Sequence, residues 1–341
     1  MAKEFSTEIK NNKRRKWLTM YQIVGKSRAT EKLRKQIAQL AKTEKDVLII
    51  GEAGVGKGTV ARNIYLASQR GLNAKPFVTV NLATLDDKEF EPVLFGVDET
   101  LSETYTPGLL KSADGGVVFI EELEEASFRN QMKILKFINE RKVPEPGTDK
   151  WEPIDVRIIV TLKEEISPLV VKNKLLEELG KKLAQFEKVY VPPLRSRPED
   201  IPLLVRHFAD EIARELGIGN LAIDPNAIEV LVKQTWKENI RELRSVIDKA
   251  VLFSKDGQFE LPPELVDERV EVAKMINNIL EGRGFSLGKS LDIIEKRIIE
   301  RALERFAFNQ SRAAAFLGLN EQTLRYKLKR LGIPSYRARQ R

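Results

Sequence analysis

The stretch Asp46–Tyr65, DVLIIGEAGVGKGTVARNIY, decides what kind of sheet this chain builds. An apolar run, Val47 to Ile50, enters a loop holding Gly51, Gly54 and Gly56, and a helical pattern starts near Lys57. The spacing is G-x-x-x-x-G-K. Backbone N–H groups must curl around the β- and γ-phosphates of a nucleotide, so glycines are needed there. The helix N-terminus adds a positive dipole end and Lys57 a point charge. The candidate nucleotide ligands are therefore Gly51, Glu52, Ala53, Gly54, Val55, Gly56, Lys57, Gly58 and Thr59. A Ser or Thr hydroxyl normally follows the lysine to ligate Mg²⁺; here Gly58 stands in its place and Thr59 comes one position late.

Outward from this loop, short apolar runs alternate with helix-length segments. DVLII (46–50), FVTV (77–80), VVFI (117–120), VRIIV (156–160) and KVYV (188–191) read as strands. The first four are nearly continuous apolar runs, as in strands covered by helices on both faces, so a parallel α/β sheet is predicted. After PPLRSRPEDIP the pattern becomes helical, with apolar residues three and four apart. The expected organisation is a basic, flexible leader (1–20), an α/β nucleotide-binding part (21–195), a helical part (196–265), a linker (266–289) containing EGRGFSLGKS, and a terminal helical module (290–341).

The apolar run at Gly115–Ala126, GGVVFIEELEEA, ends in acids, as does an NTPase strand that delivers a metal-binding carboxylate and a catalytic one. Glu121 is the candidate Mg²⁺ ligand, since any carboxylate oxygen is a suitable hard donor. Glu122 is the candidate that orients or deprotonates the attacking water.

Composition narrows the rest. There is no cysteine, which excludes disulfides and thiolate metal sites. No apolar run reaches the ~20 residues needed to cross a bilayer, and MAKEFSTEIKNNKRRKW lacks the apolar core of a secretory signal. A cytoplasmic location is expected. The net charge of +8 is unevenly placed. Lys289–Arg341 holds 13 of the 58 Lys/Arg but 5 of the 50 Asp/Glu, which leaves the remainder neutral. A basic terminal module fits a phosphate backbone. Within it, Leu291, Ile294, Ile298 and Ala302, flanked by Ile299, Leu303 and Phe306, form a face broad enough to predict a dimer partner. A short helix ends at Gly318, and Asn320 caps the next, whose buried stripe is Leu324, Leu328 and Leu331. Outside that stripe, Gln322, Thr323 and Tyr326 are candidates for base edges and Arg325 for guanine or phosphate. Lys327, Lys329, Arg330 and the tail Arg337, Arg339 and Arg341 are candidates for phosphate. His207, the only histidine, is expected to pack or lie on the surface.

These residues together resemble the sigma-54-dependent transcription activators, the bacterial enhancer-binding proteins, over about residues 21–335. IVGKS, GEAGVGKGTVAR, PFVTVNLATL, LFG, ADGGVVFIEEL, DVRIIV, VPPLRSRPEDIPLL and WKENIREL occur in the family's order, and NQSRAAAFLGLNEQTLRYKLKRLGI is similar to its Fis-type end. The resemblance implies an AAA+ ATPase module with a helical lid, followed by an all-α Fis-type helix-turn-helix. It implies ATP or ADP with Mg²⁺ as ligands, double-stranded DNA as a partner, and self-association as a dimer or AAA+ ring. It makes Arg241 the lid's nucleotide-sensing arginine and Asn81 the polar partner that holds the catalytic glutamate in check between states, the equal alternative for Asn81 being a strand-end residue that caps its own turn.

The chain departs from the family at functional positions. No Gly-Ala-Phe-Thr contact loop follows LFG; Val97 to Pro107 stand there instead. Glu121 replaces the family's aspartate, Leu162-Lys163 its Thr-Asn pair, and Glu177 and Leu183 the arginines that reach a neighbouring subunit. The expectation is a sequence-specific DNA-binding regulator that holds ATP, hydrolyses it slowly or not at all, and works without sigma-54. The alternatives are an ATP-hydrolysing activator that remodels sigma-54 polymerase, and a structural DNA-bridging protein. No sensory domain is expected ahead of residue 21, so control would come from nucleotide, expression level, or a partner in trans such as RNA polymerase or a regulatory protein.

Overall fold

Val47–Ile50 (β1) is buried along its whole length, which requires cover on both faces and hydrogen-bonded neighbours on both edges. The computed structural model supplies both, and describes residues 22–97, 106–144, 150–219, 221–252, 254, 257–262, 287–306 and 308–333. The expected leader, the linker residues 266–286, the loop interior 98–105 and the tail arginines Arg337, Arg339 and Arg341 lie outside these. Chain contacts divide the protein into two units after Pro262.

In the first unit the strands are β1, Phe77–Asn81 (β2), Gly96–Val97 (β3), Thr106–Pro107 (β4), Val117–Glu121 (β5), Lys142–Pro144 (β6), Trp151–Pro153 (β7), Arg157–Leu162 (β8) and Glu187–Tyr190 (β9). The helices are Arg28–Leu40 (α1), Lys57–Ala67 (α2), Gln69–Leu72 (α3), Asp87–Phe95 (α4), Leu109–Ser112 (α5), Phe128–Glu140 (α6), Ile166–Val171 (α7), Glu177–Leu183 (α8), Ile201–Glu215 (α9), Pro225–Val232 (α10) and Asn239–Leu252 (α11). The main sheet has the order β2-β5-β8-β1-β9, with every pair parallel. All five strands read from the sequence are in it. Two small antiparallel hairpins, β3–β4 and β6–β7, carry too few residues to leave an alternating pattern.

Side chains alternate across the sheet, as the two-residue strand period demands. Leu48, Ile50, Val118, Ile120, Ile158 and Val160 enter one core with Phe90, Phe137 and Leu179. Val47, Ile49, Val117, Phe119 and Ile159 enter the other with Leu33, Ile37 and Ile64. Each fully buried aliphatic side chain contributes roughly 2 kcal/mol, so both layers are needed. In this arrangement Gly51, Asn81, Glu121, Lys163 and Val191 all emerge at the carboxyl edge of the sheet, where open α/β folds place their ligands.

The amino end of α1 is tied to the lid. Ser27 caps α1, and buried Asp200 accepts hydrogen bonds from Lys26 N (2.6 Å), Ser27 N (2.7 Å), Ser27 Oγ (2.8 Å) and Thr30 Oγ1 (2.6 Å). Burial alone would raise the Asp200 carboxyl, yet these donors hold it below its ordinary range.

The second unit packs Leu287–Arg305 (α12), Gln310–Phe316 (α13) and Glu321–Arg330 (α14) around Ile299, Ala302, Leu303, Ala313, Ala314, Leu324 and Leu328. Helix α12 starts at Leu287, so Leu287–Lys289 belong to the helix and not to the expected linker. Asn320 caps α14 by accepting from Thr323 N at 2.7 Å, and Gly318 takes the left-handed conformation (φ 67°) before it. The broad face of α12 divides: Ile299, Ala302 and Leu303 are core, while Leu287, Leu291 and Ile298 are exposed. Among the described residues no helix is long and apolar enough to cross a membrane.

Candidate functional site

The loop Gly51–Gly56 folds tightly between β1 and α2, and only glycine tolerates it at two points. Gly54 (φ 74°) and Gly56 (φ 99°) are left-handed. A Cβ on Gly54 would stand 2.1 Å from the carbonyl oxygen of Glu238 in the lid. Replacing Gly54 by alanine is therefore expected to lower ATP affinity about tenfold, ~1.4 kcal/mol, as read by calorimetry. Affinity within twofold of the parent would mean that loop and lid separate freely.

Lys57, at the first turn of α2, is buried and donates to the carbonyls of Gly51 (2.6 Å) and Glu52 (3.0 Å). Burial pulls its ammonium below the ordinary lysine value, while Glu124, Glu122 and Glu121 oppose that shift. The carboxylate of Glu52 points away from the loop interior. It forms two hydrogen bonds to Arg195 (2.6 and 2.7 Å), which help hold its pKa down at about 2.

Glu121 ends β5 in register with Asn81 on β2. Its carboxyl is pushed up, first by burial and then by the charge of Glu122, with Lys57 and Arg241 opposing. Gly58 lies over it: a Cβ there would stand 3.9 Å from Glu121 Oε1. The longer glutamate thus reaches toward room that a residue-58 side chain would use. Among the described residues no group of three or more acids or histidines could hold a metal ion by itself. The donor set fits an Mg²⁺ that arrives with phosphates and keeps several waters, with Glu121 as the protein's carboxylate.

Glu122 follows in a left-handed conformation (φ 55°) and donates its N–H to Thr161 Oγ1 at 3.0 Å. Its Oε2 faces Lys163 Nζ at 3.2 Å, and the same ammonium is 2.8 Å from Glu125 Oε1. Burial lowers Lys163, but its bonds to Glu125 and Glu122 outweigh that and raise it above the ordinary value. Asn81 takes the second of its two expected roles in this structure. Its Oδ1 caps its own turn by accepting from Ala83 N at 3.0 Å, and the side chain that holds Glu122 here is Lys163. Glu124 is buried beside this cluster. Its Oε1 accepts from Lys163 N at 2.8 Å and its Oε2 has no hydrogen-bond partner among the described residues.

The lid closes the cleft. Its walls include Gly54–Val60, Glu121, Glu122 and Arg241, with Ile23, Val24, Leu204, His207, Phe208 and Ile240 as an apolar end, enclosing about 350 Å³. That is the size of a small-molecule site. Arg244, which also lines the cleft, lies over the Phe208 ring at 5.3 Å. His207 keeps the packing role expected of it, half-buried beside Phe208 at 5.4 Å, and lines this cleft. A signal existed: Leu204, His207, Phe208 and Glu211 recur at helical spacing and all line the cleft. The nucleotide-end candidates from Gly54 to Thr59, with Glu121, Glu122 and Arg241, are brought together. Glu177 and Leu183 are not: Glu177 is exposed and paired with Lys181 (2.7 Å), and Leu183 is fully buried in the core.

In the second unit α14 exposes Gln322, Arg325, Tyr326, Lys329 and Arg330, with Thr323 and Lys327 half-buried. Arg325 pairs with Glu321 (2.5 Å). Lys327 is held by Glu295, and Arg330 by Glu295 and Asp292, all from α12. Those two cations brace the module as it stands, leaving Gln322, Arg325, Tyr326 and Lys329 as its outward set.

Three family models match the chain: Sigma-54 interaction domain over residues 23–188, AAA+ ATPase lid domain over 195–275, and Bacterial regulatory protein, Fis family, over 290–331. The chain is similar to the transcriptional regulatory protein ZraR of Escherichia coli (strain K12), 33% identical over 320 residues, covering 92% of this chain and 69% of that protein. It is similar also to the transcriptional regulatory protein XylR of Pseudomonas putida, 31% identical over 96% of this chain. It spans 60% of the length of XylR and 57% of the phenol regulator MopR of Acinetobacter guillouiae. Among solved structures, NtrX from Brucella abortus in complex with ATP matches 92% of this chain and 69% of that one, with TM-score 0.66 and 31% identity. Its ADP complex matches 97% of this chain and 73% of that one, with TM-score 0.67 and 30% identity.

Proposed function

The chain belongs to the sigma-54-dependent transcription activator family, and on that footing we propose that it is a DNA-binding regulator whose AAA+ module holds ATP and hydrolyses it slowly. The observation that carries this reading is the ion pair between Glu122 and Lys163. A carboxylate whose oxygen faces an ammonium is poorly placed to take a proton from water. Three further features agree with it. Glu121 moves the metal-binding charge by about one bond, and misplacement of ~1 Å costs about 100-fold in rate. Leu183 is interior, so that position cannot present a cation to a neighbouring subunit. No Gly-Ala-Phe-Thr loop is present for contact with sigma-54.

In this reading the amides of Gly54 to Gly58 and the Lys57 ammonium bind the phosphates. Glu121 holds Mg²⁺, Arg241 reaches the phosphate end from the lid, and Ile23, Val24, His207, Phe208 and Ile240 form the base slot. The exposed Leu287, Leu291 and Ile298 of α12 support a dimer through the terminal module. Such a dimer would present two copies of Gln322, Arg325 and Tyr326 to successive half-sites. Bound nucleotide then acts as an assembly ligand, shifting the population of oligomers.

The test is ATP binding and steady-state turnover on the purified chain, with and without DNA, across protein concentrations. Binding with background turnover is the expected result. Turnover of order 1 s⁻¹ on assembly, within the usual enzyme range, would favour an energy-transducing sigma-54 activator instead.

A further inference from the structure

We propose that Lys163 is an ion-pair brake on Glu122, against which the terminal phosphate of ATP competes without removing it. This rests on the nucleotide reading of the cleft and deepens it by naming what sets the rate.

The geometry is specific. Lys163 follows the last residue of β8, Leu162, whose carbonyl accepts from Gly51 N at 3.1 Å at the start of the phosphate loop. Its backbone N–H is fixed by the buried carboxylate of Glu124. The side chain therefore leaves from an anchored point beside the loop. An ammonium has three N–H donors. Glu125 Oε1 at 2.8 Å and Glu122 Oε2 at 3.2 Å take two of them. The third can meet a phosphate oxygen.

Glu122 is half of a competition. Its backbone is set by the Thr161 hydroxyl, so the residue stays at the mouth of the cleft whichever way the carboxylate turns. Lys163 is close enough to Lys57 to disfavour its charge. The two ammonium groups thus act on the same acidic cluster, both reaching Glu122. A terminal phosphate brings new negative charge between them. It competes with Glu122 for Lys163 and frees that oxygen for water in only part of the bound population, which keeps turnover slow. ADP lacks the terminal phosphate and leaves the brake on. Lys163 acts on the attacking water only through Glu122 and is thus a positioning residue.

The test compares the purified chain with Lys163→Asn and Lys163→Arg, measuring ATP and ADP affinity by calorimetry and kcat and KM for ATP. The asparagine variant removes the ammonium and keeps a polar side chain. It is expected to raise kcat about tenfold, the low side of what a positioned base supplies because Glu121 still departs from the usual aspartate. KM should stay within threefold. The arginine variant keeps the cation and should stay at the parental rate. Lys163→Gln gives the same reading if the asparagine variant does not fold. An asparagine variant that binds ATP with kcat at or below the parent overturns the brake. So does an arginine variant that rises as far as the asparagine one. A loss of ATP affinity beyond about tenfold in the asparagine variant, with ADP affinity kept, overturns it as well, by making phosphate binding the main work of Lys163. Failure of the parent chain to bind either nucleotide overturns the nucleotide reading and the brake together.

Discussion

Replacing Lys57 by methionine is expected to weaken ATP and ADP binding by about 100-fold. The ammonium is buried and already donates to two carbonyls of its own loop, Gly51 and Glu52. It has only to turn from those oxygens to the phosphates, so little conformational entropy is lost on binding. A charge-assisted hydrogen bond is worth ~1.5–3 kcal/mol, and each 1.4 kcal/mol is about tenfold in affinity. Methionine has similar length and no donor. It also removes the cation that opposes the mutual repulsion of Glu121 and Glu122, so an incoming phosphate meets bare negative charge. The measurement is calorimetric affinity, with the thermal shift produced by saturating ATP as a second readout. Binding within threefold of the parent would show that Lys57 is a structural cap on its own loop and nothing more.

Replacing Asp200 by alanine is expected to cost about 3–5 kcal/mol of folding stability, because each buried donor left without a partner costs ~1–3 kcal/mol. Asp200 is fully buried and serves four donors from Lys26, Ser27 and Thr30. The buried guanidinium of Arg197 also feels its charge. Alanine strands all of them at once. Against a typical stability of about 5–15 kcal/mol, such a loss is severe, and denaturant titration will read it directly. A loss under about 1 kcal/mol would mean that water enters to replace the carboxylate. The pH dependence has a definite sign. The Asp200 carboxyl is depressed in the folded chain, so its contribution is complete above the ordinary aspartate value and is lost as pH falls through the depressed one. In the alanine variant that acid-side loss should be absent. The cleft should suffer too, since Ile23 and Val24, just before the tethered segment, line its apolar end.

What the sequence made legible follows from how locally each feature is encoded. The central strands are visible because fully buried parallel strands are unbroken apolar runs, and the phosphate loop because its glycines and lysine are consecutive. The cap at Asn320 is likewise short-range. The features that escaped are those in which distant residues meet. Lys163 and Glu122 become neighbours because β8 pairs with β5, a register that no local pattern states. Asp200 reaches Ser27 across 173 residues. Asn81 shows a motif that leaves two roles open. Its motif matches the family, yet its oxygen is satisfied two residues away, and a cation on another strand takes the glutamate. Leu183 escaped because a residue aligned by motif can face inward, and orientation in a short helix depends on the core beneath it.

Asn239 has a consequence for how the first unit comes apart. This buried residue, itself left-handed (φ 56°), accepts from Leu194 N at 2.8 Å and donates to Ala53 O at 2.9 Å and Glu52 Oε2 at 3.2 Å. Next to it Ile240 N donates to Gly54 O at 3.0 Å. One amide side chain thus staples the phosphate loop, the turn after β9 and the first turn of α11. Local opening in proteins proceeds by contiguous cooperative segments, and this staple puts three of them in one. The amides of Ile240 and Leu194 must therefore share a single opening event with the loop, and the lid frays with the nucleotide cradle and not before it.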